Sequence, residues 1–256
     1  MSYCVGLLLQ DGLVMLADTR TNAGVDNIAV FSKLHVFETP GERSMVLMTS
    51  GNLAISQSII NVLSEGIEDP ATGHIATLAN VPTMFAAARL VGQAIRQVHA
   101  IDAAALQEQG ILFDVSVLLG GQIRGRTMRL FNIYAAGNFI EATPDTPFMQ
   151  IGEVKYGKPI LDRAATFDTP LSDGVKLALI SMDSTMRSNL TVGLPIELAV
   201  LPRDAYQVSF RRRITEQDEG FQLIRESWSQ ALKIAYRNIP SPVWLADIPG
   251  PPSQPK

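Results

Sequence analysis

The first fifty residues consist mainly of short apolar runs, a pattern typical of β-strands. Residues 3–9 and 13–18 are almost continuously apolar, and the Asp11-Gly12 step between them is a strong signal for a hairpin turn. Because these runs do not alternate with polar positions, we expect two strands that are covered on both faces. After them we expect a polar loop at 19–27 and shorter strands at 33–37 and 44–49.

The spacing of the apolar residues then becomes helical. One predicted helix follows the Ser50-Gly51-Asn52 tripeptide, whose residue types are favoured at helix starts. Its apolar positions are Leu53, Ile59, Ile60, Leu63 and Ile67. Pro82 opens a second helix, which carries on one face Phe85, Ala88, Val91, Ile95 and Val98. Two consecutive helices of this kind predict an antiparallel pair.

Blocks of strands and blocks of helices alternate in the rest of the chain. Strands are predicted at 114–119, 127–134, 139–142, 196–201 and 206–210, and helices at 159–166, 171–186 and 216–238. Ser172 is the expected N-cap of the helix at 171–186. This order favours antiparallel sheets with helices layered outside them over a doubly wound parallel sheet, so the predicted fold class is α+β.

Length and composition indicate one globular domain. The chain has 256 residues, of which 46% are apolar and 18% charged, and it contains neither an internal repeat nor a linker that would divide it. We therefore predict a single domain over 1–256, in which the Pro-rich tail at 240–256 is a docked or disordered arm.

Charge and hydropathy exclude several classes of partner. The formal net charge is −4, which argues against nucleic-acid binding, and the Arg211-Arg212-Arg213 run is too short to alter that. We expect this run to be a solvated strand end or a salt-bridge patch between subunits. No apolar run approaches the ~18 residues of a membrane span, and the first residues lack the basic region of a signal peptide. The prediction is a cytoplasmic protein without a membrane partner.

Cysteine and histidine usage predicts neither a metal nor a cofactor. Cys4 is the only cysteine, so an intrachain disulfide is impossible, and its apolar run predicts a buried strand thiol. The three histidines, which lack the spacing of metal ligands, are His35, His74 and His99.

Ser2 is the residue of the chain that is best suited to act as a catalytic nucleophile. Removal of Met1, which a small second residue permits, would give Ser2 a hydroxyl nucleophile and a free α-amine. The reference pKa of an α-amine is about 8, so the amine can act as the base for its own hydroxyl, as in other N-terminal nucleophiles. Because many proteins begin Met-Ser, the surroundings of Ser2 decide its role.

Three further residues fit such a site. In a hairpin, Ser2 opens the first strand and Asp18 closes the second, so the two come close. A carboxylate there can hold the ammonium of Lys33, which would favour the serine alkoxide and lower the pKa of the α-amine. Gly51, at a strand-to-helix junction, can present a backbone N–H to an oxyanion.

The chain also resembles a known family. Residues 2–6 (Ser-Tyr-Cys-Val-Gly), 14–20 (Val-Met-Leu-Ala-Asp-Thr-Arg), Lys33-Leu34 and Ser50-Gly51-Asn52 resemble the mature N-terminal part of a proteasome β-type subunit, as does Gly120-Gly121 after an apolar strand. More narrowly, the segments 17–26 and 151–163 resemble the bacterial proteasome-related Anbu (ancestral β-subunit) family.

The resemblance implies a four-layer αββα sandwich of the N-terminal nucleophile (Ntn) hydrolase type. It also implies that Ser2 is the nucleophile, that Asp18 and Lys33 activate it, and that Gly51 is the oxyanion donor. Peptide or protein substrates and a homo-oligomer, either a ring or an open helical assembly, are implied as partners.

The sequence departs from the proteasome pattern at three positions. Ser2 replaces the usual threonine and loses the methyl group that restricts χ1. Glu153 stands where catalytic subunits have a serine, and Asn189 stands at an aspartate position. A carboxylate near the α-amine would raise the pKa of that amine. Glu153 could equally be a structural partner of Lys155 or Lys33.

These observations leave three functional hypotheses. The leading one is a self-assembling peptidase subunit with an N-terminal serine nucleophile. The second is a non-catalytic or very weakly active ring- or spiral-forming assembly or binding protein on the same fold, which a retained Met1 would favour. The third is an amidase for small molecules, which shares the chemistry without the large assembly.

Overall fold

Two five-stranded antiparallel sheets lie at the centre of the molecule in the computed structural model, which describes residues 2–22 and 28–248. In spatial order, the first sheet contains β12 (Phe148–Gly152), β1 (Tyr3–Leu9), β2 (Gly12–Asp18), β13 (Ile196–Pro202) and β14 (Phe210–Ile214). The second contains β11 (Phe139–Glu141), β10 (Arg129–Ile133), β9 (Val115–Ile123), β6 (Arg43–Gly51) and β5 (Leu34–Thr39). Two short ribbons pair β3 (Arg20–Asn22) with β4 (Ile28–Val30) and β7 (Ile67–Glu68) with β8 (Ile75–Ala76).

Helices cover the outer face of each sheet. The second sheet is covered by α1 (Leu53–Glu65) and α2 (Met84–Glu108), which also pack on each other. The first sheet is covered by α3 (Lys158–Ala164) and α4 (Leu171–Ser188), and α5 (Glu219–Asn238) packs on α4. A 3₁₀ helix (Val243–Asp247) follows α5. No helix in the described part of the chain is long and apolar enough to cross a membrane.

The alternation of side chains along β1 shows how the layers are held together. Successive strand residues point to opposite faces, so Val5 and Leu7 pack against α3 and α4, whereas Cys4 and Leu8 pack between the two sheets. Every residue of β1 and β2 is buried, as expected for strands covered on both sides. The predicted α+β class and the four-layer αββα sandwich are therefore confirmed.

Most predicted elements are found within a few residues of their expected ends, but the strand expected at 206–210 is not. The strand there, β14, begins at Phe210. Asp204 and Tyr206 have φ angles of 63° and 51°, and a strand cannot pass through this left-handed conformation. The chain therefore turns before it pairs with β13.

Two apolar residues that were predicted to lie on buried helix faces lie elsewhere in the structure. Gly66, at φ 93°, ends α1, so Ile67 belongs to β7. Phe85 is on the exposed side of α2, where its ring packs edge-on against Phe139. The remaining positions of that predicted face, Ala88, Val91, Ile95 and Val98, are buried.

The edge strand β12 was not among the predicted strands, although three of its five residues are apolar (Phe148, Met149 and Ile151). The predicted polar loop at 19–27 contains β3, and its residues 23–27 lie outside the described residues. Met1 and positions 249–256 of the predicted tail lie outside them as well.

The prediction that Ser172 caps α4 is wrong. The helix begins at Leu171 and its N-cap is Pro170, two residues before Ser172; its start has no side-chain cap, and Ser172 lies exposed in the first turn beside Asp173. Thr83, in contrast, caps α2 by accepting a hydrogen bond from the backbone N–H of Ala86 at 3.0 Å.

We expect the two positions to respond differently to alanine. Thr83→Ala should lower the free energy of unfolding by about 1 kcal/mol, the usual value of an N-cap, because the N–H of Ala86 loses its acceptor. Ser172→Ala is the matched control and should leave stability within about 0.5 kcal/mol of the wild type. Urea denaturation measures both; equal losses would contradict the assignment of the caps.

Candidate active site

The hairpin formed by β1 and β2 places Ser2 beside Asp18. Cys4 pairs with Ala17, so the strand ends meet, and the backbone N–H of Tyr3 donates to Asp18 Oδ1 at 3.0 Å. Ser2 immediately precedes β1 and is only 7% exposed. The expected proximity of Ser2 and Asp18 is therefore found.

Lys33 and Asp18 form a buried ion pair at this end of the sandwich. Lys33 Nζ lies 2.7 Å from Asp18 Oδ1, and the two side chains are 4% and 0% exposed. Nζ also donates to the backbone carbonyl of Arg20 at 2.6 Å. Burial raises the pKa of Asp18, and the Lys33 ammonium and the backbone N–H groups of Tyr3 and Gly193 oppose that rise. Such a pair holds its ammonium firmly, since either partner alone would be an uncompensated buried charge.

Gly51 is the last residue of β6, the strand in which Thr49 contacts the Lys33 backbone. The N–H of Thr49 donates to the Lys33 carbonyl at 3.1 Å, and Gly51 is two residues further along on the same side of the strand. Its φ is 106°, and a Cβ there would lie 2.4 Å from the Asp114 carbonyl oxygen, so only glycine fits. Within the described residues, Gly51 forms no hydrogen bond to Ser2.

Glu153 and Asn189 are joined at the other side of Ser2. The backbone N–H of Glu153 donates to the Ser2 carbonyl at 2.8 Å. The Glu153 side chain, which is buried, accepts from Asn189 Nδ2 at 2.9 Å and lies 3.8 Å from Lys155 Nζ. Of the two lysines considered as partners of Glu153, Lys155 forms the ion pair and Lys33 belongs to Asp18. Asn189 Oδ1 in turn accepts from the N–H and hydroxyl of Thr191.

Gly152 makes close contact with the Ser2 backbone, a feature the sequence analysis missed. It pairs with Tyr3 at the end of β12 and has a φ of 82°. A Cβ at this position would lie 2.0 Å from the Ser2 carbonyl oxygen. Gly152 and the N–H of Glu153 therefore fix the backbone of Ser2 from the side opposite Asp18.

The side chain of Tyr3 anchors the start of β1 in the adjacent helix layer, and this too was missed. Its hydroxyl lies 2.5 Å from Ser181 Oγ on α4 and accepts from Gln150 Nε2 on β12 at 2.5 Å. Burial raises the pKa of Tyr3 to about 12, so the phenol is neutral. Its partners are 178 and 147 residues away in sequence, and no local pattern indicates them.

Cys4 is buried, as predicted. Its thiol is 0% exposed and points to the carbonyl of Thr49 at 3.6 Å. Burial, reinforced by the Asp18 carboxylate, raises the pKa of the thiol, so it is a poor nucleophile. The hydroxyl of Ser2 is thus the better candidate nucleophile at this end of β1.

The three histidines differ in how deeply they are buried. His35 is partly buried, which lowers its pKa, whereas His74 and His99 are exposed, and His99 packs edge-on against Phe113. Within residues 2–22 and 28–248, no cluster of three His, Cys, Asp or Glu side chains could hold a metal ion.

The comparisons with known proteins identify the family by structure. Neither the models of protein families nor the curated proteins give a match to the chain. Among solved structures, Anbu from Yersinia bercovieri is 46% identical with a TM-score of 0.85, over 94% of this chain and 98% of that one. Anbu from Hyphomicrobium sp. strain MC1 is 48% identical with a TM-score of 0.85, over 93% and 98% of the two chains.

A third similar structure is a helical assembly of the Anbu complex from Pseudomonas aeruginosa. It is 50% identical to this chain with a TM-score of 0.87, and the match covers 94% of this chain and 98% of that one. Identity at this level over almost the whole length of both chains, on a shared four-layer fold, shows that the chain belongs to the proteasome-related Anbu (ancestral β-subunit) family and has the αββα fold of the Ntn type.

Proposed function

We propose that this chain is a subunit of a self-assembling, proteasome-like peptidase in which Ser2 hydrolyses peptide or amide bonds after Met1 is removed. The observation that carries the proposal is the buried Lys33–Asp18 ion pair next to Ser2, with Nζ 2.7 Å from Oδ1. A buried lysine beside a terminal hydroxyl is suited to stabilising the alkoxide that forms during attack.

Removal of Met1 is required because Ser2 otherwise contributes a peptide nitrogen and no base. The free α-amine takes the proton of Ser2 Oγ as that oxygen attacks the substrate carbonyl. The tetrahedral intermediate carries its charge on the former carbonyl oxygen, and we assign its stabilisation to the N–H of Gly51. The C–N bond then breaks, the amine product takes the proton, and water hydrolyses the acyl ester to regenerate Ser2.

Lys33 has a second role in this scheme, which concerns the base. An ammonium near the α-amine lowers the pKa of that amine by repulsion, so that more of it is neutral at pH 7. Asp18 fixes Lys33 in place, and the hydrogen bond from the Tyr3 N–H to Asp18 connects the pair to the residue that follows Ser2.

Glu153 has the opposite effect on the pKa of the α-amine. Its negative charge favours a protonated α-amine, and Asn189 and Lys155 hold the carboxylate on the side of the Ser2 backbone. We therefore propose that Glu153 and Asn189 moderate the reactivity of Ser2 and are not themselves acids or bases in the reaction.

Homo-oligomerisation is part of the proposal, because the similar protein from P. aeruginosa forms a helical assembly. The C-terminal part of this chain exposes several large apolar side chains that a neighbouring subunit would cover: Leu232, Ile234, Tyr236, Ile239, Val243 and Trp244. We propose a cytoplasmic assembly, and electron microscopy would show whether it closes into a ring or continues as a helix.

The test uses a β-lactone and an epoxyketone directed at N-terminal nucleophiles, followed by intact mass measurement. We expect loss of Met1 and one adduct per chain in the wild type, and no adduct in Ser2→Ala. Ser172→Ala, which removes an exposed hydroxyl far from the site in sequence, should react like the wild type. A chain that lacks Met1 and still forms no adduct would contradict the proposal.

The second candidate function is a non-catalytic assembly or binding module. The observation that favours it is the Glu153 carboxylate, which is joined to Asn189 beside Ser2. Retention of Met1 in the mature protein would support this alternative over the peptidase, because Ser2 would then have no free amine. The mass of the untreated protein distinguishes the two.

A further inference from the structure

Residues 31–33, which include Lys33, cross without regular structure from the short β3–β4 ribbon to β5 of the second sheet. Phe31 is held beside the end of β2 by its N–H, which donates to the carbonyl of Thr19, the residue after that strand, at 2.9 Å. Lys33 is held to the second sheet through its carbonyl, which accepts from Thr49. Ser32 lies between them, and among the described residues its own N–H and carbonyl form no backbone hydrogen bond, so its side chain is what fixes this residue of the crossing.

Ser32 is tied to a buried carboxylate on the first sheet. Ser32 Oγ donates to Glu197 Oε2 at 2.6 Å, and the carbonyl of Leu34 is a second acceptor at 2.9 Å. A hydroxyl donates one proton at a time, and the shorter bond to the charged oxygen is the stronger of the two. Glu197 is 6% exposed and lies on β13 next to Ile196, the residue paired with Asp18.

The second oxygen of Glu197 is also occupied. Arg213, directly opposite on β14, places Nη1 2.8 Å from Glu197 Oε1. Its neighbour Arg212 pairs with Asp218, so two of the three consecutive arginines form ion pairs within the chain. Each oxygen of Glu197 therefore has one partner, and the carboxylate is fixed in direction.

We propose that Glu197 is a positioning residue for Lys33. It holds the hydroxyl of Ser32, which fixes the backbone from which the Lys33 side chain reaches Asp18. Arg213 fixes the orientation of the Glu197 carboxylate by its contact with the other oxygen. The inference rests on the proposed function, since it assigns to Glu197 the task of keeping the Lys33 ammonium at Ser2.

A buried ionic group needs a reason beyond stability, because apolar residues of similar size often stabilise a fold as well or better. At this position the reason is geometric. Ser32 is exposed and forms no part of a strand, so without the carboxylate its backbone would be held through its neighbours, by the N–H of Phe31 and by the carbonyl and Nζ of Lys33. A displacement of Lys33 by about 1 Å is enough to lower the rate of such a reaction substantially.

The variants separate positioning from a general loss of stability. Ser32→Ala removes the hydroxyl at an exposed site, Glu197→Leu removes the acceptor, and Ser32→Thr retains the hydroxyl. Asp183→Asn is the matched control: Asp183 is a carboxylate that is 1% exposed and paired with Arg225 Nε at 2.6 Å, on α4 and away from Lys33.

Two measurements are made on the full chain after Met1 removal. The first is the rate at which an N-hydroxysuccinimide ester labels Lys33, followed by peptide mass spectrometry. The second is the pH dependence of the rate at which the β-lactone modifies Ser2. Labelling reports the position of Lys33 without any requirement for activity.

We expect Lys33 to be labelled faster in Ser32→Ala and in Glu197→Leu than in the wild type. Both variants should react with the lactone about threefold to tenfold more slowly at pH 7, the range that corresponds to one lost hydrogen bond. The midpoint of the acid limb should move to higher pH, because a displaced ammonium repels the proton on the α-amine less. Ser32→Thr and Asp183→Asn should match the wild type in both measurements.

Unchanged labelling and an unchanged midpoint in Ser32→Ala and Glu197→Leu would overturn the inference. So would the same changes in Asp183→Asn, because they would show a general effect of losing a buried carboxylate. A wild type that does not react with the lactone would refute the proposed function alone, and the labelling of Lys33 would still decide whether Glu197 positions it.

Discussion

Replacing Lys33 by methionine is expected to lower the free energy of unfolding by about 3–5 kcal/mol, because it leaves a buried carboxylate without a counter-charge. Asp18 is 0% exposed and Lys33 Nζ is its only cationic neighbour within salt-bridge distance among the described residues. The same change should abolish the adduct at Ser2, since the hydroxyl loses the ammonium that stabilises its alkoxide.

The loss of stability in Lys33→Met should depend on pH with a defined sign. Burial already raises the pKa of Asp18, and removal of the ammonium, which opposes that rise, raises it further. The folded variant therefore takes up a proton on Asp18 more readily than the unfolded chain, so its deficit is smallest in acid and grows as the pH rises towards neutrality. Urea denaturation at a series of pH values measures this difference.

Two further variants make the result for Lys33 interpretable. Lys158→Met breaks an ion pair of similar length, with Nζ 2.6 Å from Asp162 Oδ1, but both of its side chains are about half exposed. It should change stability by no more than about 1 kcal/mol. The double variant Lys33→Met/Asp18→Asn removes both buried charges and should recover most of the stability without the adduct. An adduct at the wild-type rate in Lys33→Met would refute the proposed role of the lysine.

The sequence predicted those features of the site that depend on local pairing. The Asp11-Gly12 turn sets the register of β1 and β2, and this register alone brings Ser2 to Asp18. Likewise, the continuous apolar character of both strands predicted that both of their faces are covered, whereas the four-layer αββα order was implied by the family resemblance.

Contacts between residues far apart in sequence were not predictable in the same way. The hydroxyl of Tyr3 meets Ser181, and Ser32 meets Glu197 165 residues later; all four residue types are ordinary in their own surroundings. The sequence likewise gives no sign of the positive φ at Tyr206, because of which β14 begins only at Phe210. Such features arise only when separate elements pack together, and the single-sequence pattern carries no record of that packing.

Gly152→Ala is expected to reduce the rate of adduct formation at Ser2 by about a hundredfold, the order of loss that a displacement near 1 Å produces. A Cβ at Gly152 would lie 2.0 Å from the Ser2 carbonyl oxygen and 2.7 Å from its carbonyl carbon. Both contacts are with backbone atoms, which cannot rotate away as a side chain can. The Ser2 backbone must therefore shift, and its hydrogen bond from the N–H of Glu153 must lengthen or break.

Gly125→Ala is the matched control for backbone strain. Gly125 has a φ of 72°, close to the 82° of Gly152, and both glycines are exposed, but a Cβ at Gly125 would meet nothing within 4 Å. Both substitutions incur the penalty of about 1–2 kcal/mol for a side chain in the left-handed region. Only Gly152→Ala adds the clash, which we expect to lower the free energy of unfolding by a further amount of about 1–3 kcal/mol.

Comparing these two variants separates an effect on the position of Ser2 from an effect on the stability of the fold. Denaturation gives the difference in stability, and the second-order rate of reaction with the β-lactone gives the effect on the nucleophile. If Gly152→Ala reacts as fast as Gly125→Ala, the backbone of Ser2 does not need its present position, and Gly152 matters only for the end of β12. If it is slow while still folded, the close contact between Gly152 and Ser2 is part of what places the nucleophile beside Asp18 and Lys33.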